Sequence, residues 1–369
     1  MSRGVALAVV IALFGAACGP AWGDAYLDSM AAGQRAYHAG RYTEAETEYQ
    51  KAVLAARRLK DRDEAMLLVA RMQERAGRLE EARVSYEAIA VAKPPGPRKV
   101  RAAVAAAQIL IEQGRDNEGY ARLLDIAKKD PNHGDARTAM LRVIENERDL
   151  GGDERVLAFL IREQPIFRGT ELAIFFDYHI AKGFADTGKV EKARDLFVAH
   201  ARANPYPYGE FTDDAFMRAA DIEVELGHPK EAIKLIDEML SVLEVSGIPG
   251  SYTRPRFPEG AWKRAEIYRD KLNDNASARR AFHWFYKNLK FAIKRDDALW
   301  EEALLASKDG DASNACHLVE TLADDFPQSR YVRCGHELCK TADLPKQERE
   351  CPEYILRGIR QMRGEPEPE

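Results

Sequence analysis

Glycine recurs at a fixed interval along this chain. Gly40, Gly77, Gly114, Gly151 and Gly188 stand 37 residues apart, and Gly227 follows after 39. Gly310 fits a later unit, and Asn273 occupies the place 37 residues before it. Such a constant interval confines the chain to a repeat architecture, in which each unit packs chiefly on its neighbours. Each position ends one amphipathic stretch and precedes another. Glycine reaches φ > 0 without strain from a Cβ, so it stops a helix and allows a tight reversal. Asparagine is the next residue tolerated there.

Five residues after each turn stands a small or modest side chain: Ala45, Ala82, Gly119, Val156, Ala193, Ala232, Ala278 and Ala315. Four residues further on stands a large apolar one: Tyr49, Tyr86, Leu123, Leu160, Phe197, Ile236, Phe282 and Val319. That spacing places both on one helical face, where the small residue lets a second helix approach. Pro94, Pro131, Pro205 and Pro327 follow and stop the second helix of their units. The pattern predicts pairs of antiparallel helices.

The Ala-x3-aromatic…Pro pattern resembles the tetratricopeptide-repeat (TPR) consensus, most closely over Gly33-x-x-Ala-Tyr37-x-x-Gly40-x-Tyr42-x-x-Ala45-x3-Tyr49. The resemblance covers about residues 26 to 341 as eight units and part of a ninth, with units four and seven degenerate. In unit four Pro165 arrives three residues early. Sel1-like repeats are the alternative for the degenerate units. The resemblance implies an all-α, TPR-like α-solenoid, a right-handed superhelix of about eight helix-turn-helix repeats. It also implies a groove, lined by the first helix of each unit, that takes up peptides or helices of partner proteins. Carried onto this chain, the groove positions are Gln34, Tyr37, His38, Arg71, Glu74, Gln108, Glu112, Tyr178 and Lys182.

The amino terminus reads as a targeting segment over residues 1–23. Arg3 is followed by the apolar run Val5 to Phe14, about half the ~20 residues a membrane-spanning helix needs. Gly15-Ala16-Ala17-Cys18-Gly19 then resembles the lipobox of bacterial lipoproteins, in which the cysteine thiol receives diacylglycerol. Cleavage before Cys18 leaves a lipid-anchored protein; ordinary cleavage before Asp24 leaves a soluble one. Repeats one to six fill 26–245, and a proline-rich joint covers 246–260. Repeats seven and eight, with the start of a ninth, occupy 261–341. A disulfide-stabilised capping helix follows over 342–363, then a disordered tail over 364–369, GEPEPE.

Of the five cysteines, four remain if Cys18 is lipidated: Cys316, Cys334, Cys339 and Cys351. An even number can pair fully in an oxidising compartment. Distances from the turn near Pro327 favour Cys316–Cys339 with Cys334–Cys351 over Cys316–Cys334 with Cys339–Cys351. A Cys334–Cys339 bridge along one helix is disfavoured, because i, i+5 side chains point apart. A zinc site is the rival, yet the paired spacings of a structural zinc site are absent, so no metal is expected.

The chain has 55 basic against 60 acidic residues, a net charge of −5, which gives no electrostatic reason for nucleic-acid binding. Phosphate-binding, dinucleotide, zinc-protease and nucleophile-elbow motifs are absent after the targeting segment. The eight histidines are scattered singly. The repeats leave no span of ~100 residues for a catalytic domain. The expectation is therefore no catalytic residue, cofactor or small-molecule substrate. The chain reads as a protein-binding scaffold lipid-anchored at the outer membrane, serving an envelope assembly, pilus or motility machine. Asp325-Phe326-Pro327-Gln328-Ser329-Arg330-Tyr331 resembles a joint of periplasmic TPR lipoproteins. The alternatives are a soluble periplasmic chaperone or sensor, and an accessory to a peptidoglycan enzyme.

Overall fold

The computed structural model describes residues 24–243, 254–345 and 350–365. The targeting segment with Cys18, positions 246–253 of the joint and the end of the tail lie outside these residues. Among the described residues there are helices and turns but no strand, and no helix is long and apolar enough to cross a membrane. The chain divides into two compact units between Phe176 and Asp177.

The first unit holds α1 (Asp24–His38), α2 (Tyr42–Ala55), α3 (Leu59–Arg75), α4 (Leu79–Ala90), α5 (Lys99–Glu112), α6 (Asp116–Lys129) and α7 (Gly134–Glu163), each packed on the next. The division falls within α8 (Glu171–Asp186). The second unit continues with α9 (Val190–Ala203), α10 (Thr212–Glu225), α11 (Pro229–Leu240), α12 (Arg256–Glu266), α13 (Asn275–Asn288), α14 (Arg295–Lys308) and α15 (Ala312–Asp325). The short α16 (Gly335–Leu338) and the final α17 (Glu353–Arg363) close it. From α9 to α16 each helix again packs on its successor, and α17 packs on α14.

The repeating glycines do what their spacing predicts. Gly40, Gly77, Gly114, Gly188, Gly227 and Gly310 all have φ between 73° and 81°. At each, the following N–H reaches back to the carbonyl five residues earlier: Arg41 to Ala36 at 2.9 Å, Arg115 to Leu110 at 2.8 Å, Asp311 to Ala306 at 2.9 Å. This closes the last turn of the first helix and satisfies a carbonyl that the helix end leaves open. Asn273 takes the same role at φ 50°, after the wider π turn Ile267–Lys271. In the fourth unit the left-handed residue is Gly152, at φ 70°, one place later than the period. Gly151 is extended at φ −171°, so the two glycines together break α7 into two helical halves.

The small and large positions meet inside the helix pairs. Ala45, Ala82, Ala193, Ala232, Ala278 and Ala315 are fully buried. Tyr49, Tyr86, Leu123, Leu160, Phe197, Ile236, Phe282 and Val319 are buried beside them. Each such large side chain contributes roughly 1.5–3 kcal/mol by leaving water. Gly119 is small for a steric reason: a Cβ there would stand 2.5 Å from Ile111 Cγ1 and 2.8 Å from the Ala107 carbonyl oxygen.

Two details depart from the sequence reading. The last five residues of the proposed joint, 256–260, are helical and open α12. Pro258 is tolerated there because the first N–H groups of a helix have no partner inside it. Cys334 and Cys339 do not share a helix. Cys334 ends a 3-10 turn, and Cys339 leaves the single-turn α16 in an extended conformation. Each is held by a different element: Cys316 on α15 joins Cys339, with Cα atoms 4.9 Å apart, and Cys334 joins Cys351, at 4.8 Å. Around them Val319, Leu322, Val332, Leu338, Ile355 and Ile359 form one buried cluster.

Candidate protein-binding face

In the first unit, α1, α3 and α5 are the first helices of their pairs. Each buries an alanine against its partner helix: Ala36, Ala70 and Ala107. The next residue in each helix is less buried: Tyr37 and Gln108 are half-buried, Tyr37 packing against the core of its own pair, and Arg71 is exposed. Arg71 is exposed and sets its guanidinium 6.0 Å from the centre of the Tyr37 ring. One turn on, Glu74 accepts a 2.9 Å hydrogen bond from the Tyr86 hydroxyl. Partial burial, and then the charge of Glu74, push the Glu112 carboxyl above its usual range. Gln34, His38 and Glu112 are exposed, while Tyr37, Glu74 and Gln108 are half-buried. One strip thus runs from α1 over α3 to α5. It offers a guanidinium, two carboxylates, an aromatic ring and two amides, a set suited to hydrogen-bonding and ion-pairing with a polypeptide.

The second unit treats its two expected groove residues differently. Tyr178 is buried and is a packing residue, not a lining one. Its ring stacks on Phe211 at 4.3 Å and meets Phe197 and His200. Phe211 holds a left-handed conformation, φ 61°, unusual for an aromatic residue and costing about 1–2 kcal/mol. The stacking, and the hydrogen bond from the Thr212 hydroxyl to the Asn204 carbonyl, hold it there. The Tyr178 hydroxyl donates to Asp214, which also pairs with Arg218 at 2.7 Å and Arg256 at 2.7 Å. Burial, then the bond to Asp214, push the Tyr178 hydroxyl up to about 12. Burial alone would raise Asp214, yet the bonds from Tyr178 and Arg218 hold it below its ordinary value. Lys182 is half-buried and pairs with Asp186 at 2.6 Å. The sequence assigned Tyr178 to the groove by counting along the repeat; the aromatic Phe211, brought in by the interruption after α9, covers it instead.

Arg254, within the proline-rich joint, has a structural role that its local sequence did not mark. Its side chain is 2% exposed. It forms a two-pronged pair with Asp213, at 2.8 and 2.7 Å, and donates to the Met239 and Val242 carbonyls. Its guanidinium lies 4.3 Å from the Tyr206 ring centre and 4.6 Å from that of Phe257. It therefore fixes the end of α11, the start of α10 and the entry to α12 to one another. An arginine beside a proline gave little local sign of this, because its carboxylate partner, Asp213, lies 41 residues upstream in α10.

No protein-family model matches this chain, and no curated protein does. Among solved structures it is similar to a tetratricopeptide repeat protein from Parabacteroides merdae, at 13% identity over 77% of this chain and 99% of that one, with a TM-score of 0.35. It is also similar to the C-terminal part of a TPR repeat-containing protein from Cytophaga hutchinsonii, at 14% identity over 72% and 98%, TM-score 0.42. A third is the pilF protein of Pseudomonas aeruginosa, at 13% identity over 72% and 93%, TM-score 0.30. The chain's own geometry makes the assignment of fold: helix pairs closed by left-handed glycines and locked by buried small-x3-large contacts are the tetratricopeptide-repeat fold.

Proposed function

We propose that this chain is an exported scaffold, anchored by lipid at Cys18 in a bacterial cell envelope, that gathers partner proteins on the first helices of its repeats. The observation that carries the scaffold reading is the strip Tyr37–Arg71–Glu74–Glu112. Arg71 and Glu112 are exposed on packed helices, with Tyr37 and Glu74 half-buried beside them, a polar and aromatic surface suited to a ligand. Export is supported by the two cysteine pairs at the carboxyl end, a pairing that suits an oxidising compartment. The lipobox-like Gly15-Ala16-Ala17-Cys18 supports attachment at the outer membrane, facing the periplasm. Two measurements on the protein from its host test the reading. Mass spectrometry of the mature amino terminus should find diacylated Cys18; a terminus at Asp24 or an intact Met1 refutes the anchor. Pull-down from detergent-solubilised envelope should recover a partner that Arg71→Glu loses; a monomer without partner, or a partner indifferent to that change, refutes the scaffold.

A further inference from the structure

Independently of the strip on the first unit, the second unit contains a groove of about 660 Å³, within the size range of ligand sites. It lies between the start of α12 and the loop that joins α13 to α14. Trp262 and Phe285 form its floor, Pro255 and Pro258 one wall, and Phe291 and Ile293 the other. The floor is fixed: the Trp262 indole packs edge-on against Phe282 and Phe285, and its N–H donates to Glu266 at 2.7 Å. The loop wall is fixed from behind, where Arg295 donates to the Tyr286 carbonyl at 2.9 Å and lies over the Tyr286 and Phe326 rings. Even so, Phe291 is 58% and Ile293 96% exposed. Two apolar side chains held out toward water by an ordered loop are a cost unless something covers them.

Charge says what covers them. Of the carboxylates at the groove, Glu259 is paired with Arg256 at 2.7 Å, while Glu266 accepts from the neutral Trp262 N–H and keeps its charge. Lys263 is engaged in turn by Asp221. Lys294 is not: its ammonium lies 4.5 Å from the Trp262 ring centre, and among the described residues it has no carboxylate partner. Lys290, exposed on the same loop, has none either. The open groove therefore combines an apolar trough with a loop whose Lys290 and Lys294 have no carboxylate partner among the described residues.

We propose that this groove binds a protein segment carrying a large aromatic or aliphatic side chain beside aspartate or glutamate. The apolar side chain seats between Trp262 and Ile293, and the carboxylate pairs with Lys294. A chain segment suits the observations better than a bilayer surface. The apolar atoms line a trough with two walls, and a flat membrane would reach only the outer wall.

The test is selection from a random-peptide display library on the full, oxidised chain, with Ile293→Asp and Lys294→Glu as counter-targets. Both positions are exposed, so circular dichroism should show both variants folded. The expected result is enrichment of sequences with acidic residues flanking an aromatic or aliphatic one. A synthetic peptide of that consensus should bind each variant at least about tenfold more weakly in fluorescence anisotropy. No enrichment, enrichment of basic or uncharged sequences, or equal binding to the variants would overturn the proposal. So would binding of phosphatidylglycerol vesicles that Ile293→Asp abolishes, since that would make the loop a membrane contact.

Discussion

Replacing Gly114 by alanine isolates the backbone term that sets the repeat. Gly114 sits at φ +76°, and a Cβ built there meets nothing within 4 Å. Steric crowding is therefore excluded as a cause, and only the left-handed conformation opposes the substitution. That conformation costs an L-residue about 1–2 kcal/mol. The new side chain also reduces the freedom of the unfolded chain, which offsets about 0.4–1 kcal/mol. The central values leave a net loss of about 0.8 kcal/mol, with Gly114→Asn losing less, because asparagine tolerates this region. Gly119→Ala makes the contrast. Its backbone is helical, yet the new Cβ would press on Ile111 and on the Ala107 carbonyl, so crowding should cost about 1–3 kcal/mol. Urea unfolding followed by circular dichroism reads all three changes as shifts in midpoint. If Gly114→Ala is neutral, or if asparagine costs as much as alanine, the turn is not the reason for the period.

Arg254→Ala should destabilise by about 3–5 kcal/mol, because it leaves the Asp213 carboxylate without its partner in a dry setting; thermal unfolding would measure it. Asp214 is held below its ordinary value, so its contribution is present above the unfolded carboxylate pKa of about 4 and disappears as pH falls through the folded value. An acid titration should therefore show a loss of stability below about pH 4 that is smaller in Asp214→Asn. Reduction of Cys316–Cys339 and Cys334–Cys351, which close loops of 23 and 17 residues, should cost about 3 kcal/mol each. Hydrogen exchange should place that loss around α15 to α17, because an end of an array has one neighbour only.

What could be read from the sequence follows the range of the interactions. The glycine period and the small-x3-large pairs are set by local backbone geometry and by packing between adjacent helices, so their spacing is fixed along the chain. Asn273 could be assigned as a turn on the same ground. The strip on α1, α3 and α5 was legible because its members recur with the period: Gln34, Arg71 and Gln108 stand 37 residues apart, as do Tyr37 and Glu74. Tyr178 was misplaced because that register says nothing of an inserted turn, and Phe211 comes from one. Arg254 and the Trp262 groove depend on loops of irregular length. The alternation Phe291-x-Ile293 among Lys287, Lys290 and Lys294 was the available signal for the groove.

The central claim is that partner proteins lie across the first helices of the repeats. Site-specific photocrosslinking in host cells tests it most directly. A photoreactive residue in place of Arg71 should give a discrete adduct with another protein. The same residue at Val84, 53% exposed on α4, should give none. No adduct at Arg71, or the same adduct from Val84, would contradict the account.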